Sequence, residues 1–154
     1  MNLERHVVLV HPEIHWNTGN IGRTCLGAGA ALHLIQPLGF SLADKMVRRA
    51  GLDYWHKVDP SVWEDFDAFC RGMEASPEEI ALLTKNGRKS FRELPQAKRL
   101  FLVFGSESGG LPNDILHRYP PSRTYHIPIS RSIRSLNLSS AVAVALYESL
   151  RFQL

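Results

Sequence analysis

Short apolar segments alternate along this chain with segments of helical character. The centres of the apolar segments lack polar alternation, which is typical of strands buried on both faces. Helical crossovers between such strands indicate a parallel sheet, so we predict an α/β fold with helices on both faces, five or six strands and a single domain over 1–154. Strands are predicted at 5–10, 31–37, 79–84, 99–105 and 124–130, and helices at 18–28, 42–50, 61–71, 112–119 and 137–152. In the helix predicted at 61–71, one face is apolar and consists of Val62, Phe66, Phe69 and Cys70.

The composition fits one ordinary globular domain of 154 residues. No apolar run is long enough to span a bilayer, and the N-terminus MNLERHVVLV lacks the features of a signal peptide. We therefore expect a cytoplasmic protein with no membrane association. His11 and His15 stand four residues apart, but Pro12 lies between them and the HExxH pattern is missing, so no metal site is expected.

The positive charge is clustered, although the formal net charge is only +3. Such clusters can follow a phosphate backbone, and they are equally compatible with a solvated surface. If the chain binds RNA, the candidates for contact with the phosphate backbone are Arg48, Arg49, Arg88 and Lys89.

Ligands of parallel sheets bind where strands end at the carboxyl edge, and the segment NTGNIGRTC (17–25) follows the first predicted strand. Asn17 or Thr18 is expected to cap the helix that begins here. Exposed N–H groups at a helix start favour an anion such as phosphate, and Arg23 could reach the same anion. A capped helix packed closely through its glycines explains the segment equally well. Because the segment is not GxGxxG, a dinucleotide site is disfavoured.

The segment FGSESGGLP (104–112) follows the most apolar strand and contains three glycines and Glu107. Its backbone could surround a flat ligand and bind an adenine edge. A plain strand-to-helix turn does not require these residues, so a functional loop is favoured.

The third unusual segment is IPISRSIRSLNLSSAVAVALYE (127–148). We expect its strand to end at Ile129 and Asn137 to cap the following helix. The interior of that helix, AVAVAL, is apolar on nearly every face, whereas a surface helix has only an apolar stripe. Burial against a second subunit would explain this pattern, so we predict a two-fold symmetric homodimer.

In this order, the patterns NTGNIGR, FGxExxGLP and SxNLSxA resemble the three motifs of the SPOUT methyltransferases, in particular those that methylate ribose 2′-oxygens. The segments IQPLGF (35–40) and RRAGLDYW (48–55) are similar to the TrmL-type branch, which modifies cytidine or uridine 34 of tRNA. The resemblance extends over nearly the whole chain. It implies a sheet with a deep trefoil knot near its C-terminus.

The resemblance also implies that backbone groups of the knot loops hold S-adenosyl-L-methionine, with S-adenosyl-L-homocysteine as product. Matched residue by residue, the implied cofactor-binding positions are Leu82, Gly105, Gly110, Ile127, Ser135 and Leu136. The implied active site lies at the dimer interface and contains Arg23, Glu107 and Asn137.

The implied substrate is the wobble nucleotide of tRNA, cytidine or a modified uridine, with leucine isoacceptors expected. We expect Arg23 to hold a phosphate and stabilise the reacting oxygen, because a guanidinium rarely loses its proton. Two alternatives remain: the same chemistry at another tRNA or ribosomal RNA position, and a non-catalytic knotted RNA-binding module. The loop SRSIRS (130–135) differs from the proline- and acid-containing loop of some relatives.

Overall fold

The computed structural model describes residues 2–43 and 54–151. Within these ranges, strands and α-helices alternate except that β4, β5 and β6 follow one another without an α-helix, and short 3₁₀ turns lie next to β4, β5 and β7. In chain order the elements are β1 (Glu4–Val10), α1 (His15–Ala28), β2 (Ala31–Ile35), α2 (Trp55–Val58), β3 (Ser61–Trp63), α3 (Phe66–Met73), β4 (Ile80–Leu83), β5 (Lys89–Ser90), β6 (Arg99–Phe104), α4 (Asn113–Leu116), β7 (Thr124–His126) and α5 (Leu138–Ser149).

The strands form one sheet in the order β3-β2-β1-β6-β4-β7-β5, and every pair is parallel. In the centre of the sheet, Val7 of β1 lies opposite Leu32 of β2 and Leu102 of β6. The predicted α/β class is confirmed. The described residues contain seven strands, more than predicted, because β3 and β5 are edge strands of three and two residues with little apolar pattern.

Helices cover both faces of the sheet, and each face has its own apolar core. Val7 and Leu9 of β1 pack in the layer beneath α1 and α5, whereas Val8 and Val10 pack in the layer beneath α3. All four side chains are fully buried. The central strand is thus apolar on both faces, which is why its sequence shows no alternation.

The helix predicted at 61–71 is wrong in its first part, because residues 61–63 form β3. This strand pairs with β2, and the indole Nε1 of Trp63 donates to His33 Nδ1 at 3.0 Å. The helix begins at Phe66, since the Asp65 carboxylate caps it by accepting the Ala68 N–H at 2.7 Å. Val62, predicted to lie on the apolar face of this helix, is 41% exposed.

Other element boundaries also differ from the predictions. β7 ends at His126 rather than near residue 130, and α4 has only four residues. The helix predicted at 42–50 lies mostly outside the described residues. The cap of α5 is confirmed: Asn137 Oδ1 accepts the Ser139 N–H at 2.9 Å. No helix among the described residues is both long and apolar enough to cross a membrane.

Candidate functional site

A cavity of about 740 Å³ opens where β4, β6 and β7 end. This is the carboxyl edge of the sheet, where ligands of α/β proteins bind, and the volume is typical of small-molecule sites. All three unusual segments contribute to the wall. The predicted site residues that line the cavity are Gly105, Glu107, Gly110, Ile127, Ser135, Leu136 and Asn137.

Backbone segments approach each other closely around this cavity. A Cβ atom on Gly105 would lie 1.9 Å from the carbonyl carbon of Gly110, and one on Gly87 would lie 2.2 Å from that of Tyr125. Neither position has room for a side chain. Gly110 has a φ of +67°, and its N–H donates to the Ser106 carbonyl at 3.1 Å. Much of the wall is therefore main chain, whose N–H and C=O groups can bind polar ligand edges.

The Glu107 carboxylate joins the loop after β6 to the start of α1. Its Oε1 accepts the Glu13 N–H at 2.8 Å, and its Oε2 accepts the Ile14 N–H at 2.7 Å and the Asn17 Nδ2 group at 3.2 Å. The carboxylate satisfies orphan donors at a helix N-terminus and interacts favourably with the helix dipole.

The predicted cap of α1 is consequently wrong. The helix begins at His15, Ile14 is the N-cap without a side-chain bond, and Asn17 and Thr18 lie inside the first turns. Glu107 occupies the place at the helix start where the sequence also allowed a phosphate. Of the glycines in the first segment, Gly22 packs closely, against Trp55 and Val58 of α2.

A second contact connects the first and third segments. Asn137 Nδ2 donates to Asn17 Oδ1 at 3.3 Å, while Asn137 Oδ1 caps α5. Through Asn17, the Glu107 carboxylate is linked to the start of α5. One hydrogen-bonded row therefore fixes three cavity walls relative to each other.

Glu13 reinforces the same contact from the opposite side. Its Oε1 accepts the Ser108 N–H at 2.9 Å and the Ser108 hydroxyl at 2.6 Å. The Ser108 side-chain hydrogen bond, followed by its backbone bond, lowers the pKa of the Glu13 carboxyl. The two loops are thus joined in both directions. Glu107 accepts the backbone N–H groups of Glu13 and Ile14, and Glu13 accepts the N–H and hydroxyl of Ser108.

Four predicted site residues within the described ranges do not line the cavity: Arg23, Leu82, Arg88 and Lys89. Arg23 is exposed on α1, with its guanidinium carbon 5.4 Å from the centroid of the Tyr54 ring. Leu82 is fully buried in the layer beneath α3, and its neighbour Leu83 lines the cavity instead. Arg88 lies next to the edge strand β5 and is exposed.

Of the remaining predicted RNA contacts, Lys89 belongs to β5 and is partly buried. Arg48 and Arg49 lie outside the described residues. The structure therefore brings the predicted residues of the three loops together around one cavity, whereas the predicted cations within the described residues lie beyond it.

Sequence reasoning missed two cations that do line the cavity, Lys85 and Arg134. Lys85 precedes the Asn86-Gly87 turn at the end of β4, and this position directly after a strand is the signal that could have identified it. No local sequence pattern could have indicated the hydrogen bond from Asn17 to Glu107, because the two residues are 90 positions apart.

Among residues 2–43 and 54–151, no group of three or more His, Cys, Asp or Glu side chains is arranged to hold a metal ion. The polar groups of the cavity are instead amides, hydroxyls, backbone groups, one carboxylate and two cations. Such a set suits an organic ligand.

The sequence profile of the SpoU rRNA Methylase family matches residues 4–147. A tRNA (cytidine(34)-2'-O)-methyltransferase of Burkholderia ambifaria is 44% identical over 146 residues, which cover 95% of this chain and 94% of that protein. A solved structure concerning the 2-OH methylation of C/U34 on tRNA is 43% identical, with a TM-score of 0.85 over 97% of this chain and 95% of the other.

The fold also matches an AdoMet-bound rRNA methyltransferase from Sinorhizobium meliloti, with a TM-score of 0.87. That likeness covers all of this chain and 58% of the larger protein at 24% identity. It concerns the fold alone.

Proposed function

Because the chain belongs to the SpoU rRNA methylase family, we propose that it methylates the ribose 2′-oxygen of nucleotide 34, the wobble position of tRNA, using S-adenosylmethionine. The observation that carries the proposal is the convergence of three motif segments on one cavity. These segments lie far apart in the sequence, yet all meet at the same edge of the sheet.

The cavity fits the cofactor in size and in chemistry. Its volume of about 740 Å³ accommodates a nucleoside with an amino-acid chain, and Gly105 and Gly110 leave main chain exposed to a flat base. We propose that the backbone near Leu82, Gly105, Ile127 and Ser135 holds the cofactor, with Gly110 and Leu136 beside it. When bound, S-adenosylmethionine supplies an electrophilic methyl group on a sulfonium sulfur.

The protein must then align the ribose oxygen with that methyl group and stabilise charge on the oxygen. We assign a positioning role to Glu107, because both of its oxygens already accept hydrogen bonds from the α1 region. Asn137 lines the cavity and is hydrogen-bonded to Asn17, and we assign it the contact with a substrate hydroxyl.

Arg23 is the proposed cation beside the reacting oxygen, contributed by a second copy of the chain. It does not line the cavity of its own chain, but α1 packs against α5, and both helices present exposed apolar side chains. On α1 these include Trp16, 54% exposed, and on α5 they include Val144 and Tyr147. A homodimer built on these helices would bury them and could bring Arg23 to the partner's cavity.

We also propose a trefoil knot, a cytoplasmic location and leucine tRNAs as substrates. The backbone contact between Gly87 and Tyr125 and the Thr84 N–H bond to the Tyr125 carbonyl at 2.9 Å fit the closely threaded chain of a trefoil knot. A tRNA substrate suits a cytoplasmic enzyme, and leucine isoacceptors are the expected targets.

The decisive experiment is mass-spectrometric mapping of tRNA and ribosomal RNA methylation in cells with and without the gene. Loss of a 2′-O-methyl group at nucleotide 34 alone is expected. Loss of methylation at another position instead would show that the enzyme acts at a different RNA site. Calorimetry with S-adenosylmethionine separates the enzyme from a non-catalytic module, since a module would not bind at millimolar concentration.

A further inference from the structure

Three charged side chains line the cavity: Lys85, Glu107 and Arg134. The carboxylate is already engaged, because Glu107 accepts three hydrogen bonds from the α1 region. The two cations are not. In the described part of the chain, neither Lys85 nor Arg134 makes an ion pair or a side-chain hydrogen bond.

Lys85 is held by the backbone that carries it. The Thr84 N–H donates to the Tyr125 carbonyl at 2.9 Å, and the Gly87 N–H closes the turn by donating to the Thr84 carbonyl at 2.9 Å. On the far side, the His126 ring bonds the Gly87 carbonyl at 2.7 Å. The ammonium group therefore projects from a fixed turn at the cavity wall, with only its own side chain free to move.

Arg134 comes from the third segment, on another wall of the cavity. It lies three residues before Asn137, which fixes the end of its loop through the bonds to Asn17 and Ser139. Both cations are exposed at the cavity mouth. Two unpaired positive charges beside one concave site raise the local anion concentration and favour an anionic group in the bound ligand.

The positive charges of S-adenosylmethionine restrict which groups Lys85 and Arg134 can bind. The sulfonium and the α-ammonium group are both positive, so two further cations would oppose binding unless an anion lies between them and the cofactor. The assembled reactants contain two kinds of oxyanion: the cofactor carboxylate and the phosphodiester of the target nucleotide. Arg binds either in a bidentate manner, and Lys serves as a point charge.

We propose that Lys85 and Arg134 form an oxyanion clamp at the cavity mouth that holds a carboxylate or phosphate of the bound substrates. The proposal rests on the function proposed above. It adds binding residues to the reaction and explains why these cations lack partners within the described part of the chain.

The test uses the full-length variants Lys85→Met and Arg134→Met, which remove the charge and retain the side-chain stem. Lys98→Met is the matched control, because Lys98 is exposed just before β6, at the opposite edge of the sheet from the cavity. Lys85→Arg and Arg134→Lys keep the charge and should retain binding in part. Urea unfolding of all variants checks that the fold is intact.

Calorimetry then measures affinity for S-adenosylmethionine and for 5′-methylthioadenosine, which lacks the amino-acid group. If the clamp holds the carboxylate, the Kd for S-adenosylmethionine rises about tenfold or more in each Met variant. The Kd for 5′-methylthioadenosine stays unchanged.

If the clamp holds a phosphate, affinity for S-adenosylmethionine is unchanged and binding of an anticodon stem-loop RNA weakens about tenfold. The slope of RNA affinity against salt concentration, on logarithmic axes, then becomes shallower by about one unit for each cation removed. The proposal would be overturned if affinities for both S-adenosylmethionine and the RNA stay within about twofold of wild type with the salt slope unchanged, or if Lys98→Met has an equal effect. Failure of the proposed function is distinct, because the wild-type protein itself would then bind no S-adenosylmethionine.

Discussion

At the scale of single residues, the cavity depends on the absence of a side chain at position 105. A Cβ atom there would lie 1.9 Å from the Gly110 carbonyl carbon, far closer than two such carbon atoms can approach. Gly109 is a matched control in the same loop, since its Cβ would meet only the Ser106 hydroxyl at 3.2 Å.

We expect Gly105→Ala to destabilise the protein by at least about 1–3 kcal/mol, because backbone must shift to accept the methyl group. Gly109→Ala should change stability by less than about 0.5 kcal/mol. Urea unfolding measures both, and calorimetry should show weaker S-adenosylmethionine binding for Gly105→Ala than for Gly109→Ala. Equal effects of the two variants would contradict the close-packing argument.

A buried row of side chains lies away from the cavity, in the layer beneath α3. Trp63 Nε1 can only donate, so His33 Nδ1 accepts, and His33 Nε2 then carries the proton toward His6 Nδ1 at 2.8 Å. His6 Nε2 in turn donates to Glu4 at 2.7 Å. Burial, and secondarily the charge of His6, lowers the pKa of His33 from 6.5 to about 4.

Stability should therefore fall as the pH decreases from about 6.5 to about 4, because the unfolded chain binds a proton that folded His33 refuses. At about 1.4 kcal/mol per pKa unit, the contribution of His33 is at most about 3 kcal/mol. Urea unfolding at several pH values should show a flatter dependence for His33→Gln than for the wild type. The exposed control His117→Gln should keep the wild-type slope, and an unchanged slope in His33→Gln would contradict this role.

At the scale of elements, a carboxylate distant in sequence determines where α1 begins. Glu107 is 93 residues from Ile14, whose N–H it accepts. Local sequence patterns offer only Asn17 or Thr18 as caps, and both lie inside the helix. Similarly, the local pattern predicts helix where β3 forms, because the pairing with β2 and the Trp63 bond to His33 involve residues some thirty positions away.

We expect Glu107→Ala to destabilise the protein by about 1.5–3 kcal/mol, because two backbone donors lose a charged acceptor. Glu107→Gln retains one acceptor oxygen and should cost less. The control is Asp114→Ala, which removes an exposed carboxylate from α4. Thermal unfolding compares the stabilities of these variants. If Glu107→Ala is as stable as the control, Glu107 does not stabilise the start of α1.

At the scale of the whole molecule, the proposed active site requires two chains. Arg23 is exposed and lies outside the cavity of its own chain, whereas Asn137 lines that cavity. We expect Arg23→Ala to lose methyl transfer by about a hundredfold or more while keeping S-adenosylmethionine affinity, since removing one transition-state contact has that effect elsewhere. Equal loss of both properties would count against this role.

Mixed dimers test whether Arg23 acts across the interface. If it does, coexpressed Arg23→Ala and Asn137→Ala chains form dimers with one intact site, and activity returns although each variant alone is inactive. If Arg23 acts within its own chain, the mixture stays inactive. Val144→Lys should prevent dimer formation, which sedimentation would detect, because it places a charge on the exposed apolar face of α5.

The sequence alone determined the α/β class, the central strands, the α5 cap at Asn137 and the loops that form the cavity. These features are local: buried strands must be apolar, caps need short polar side chains, and glycines mark close backbone contact. Only the tertiary structure decided the edge strands, the cap of α1 by Glu107, the buried histidine row and the two cations facing the cavity. The edge strands, the α1 cap and the histidine row each depend on a partner brought close by folding, and such a partner leaves no mark at the residue's own position in the sequence. Which cations face the cavity depends on where the strand ends and loops meet in the folded chain.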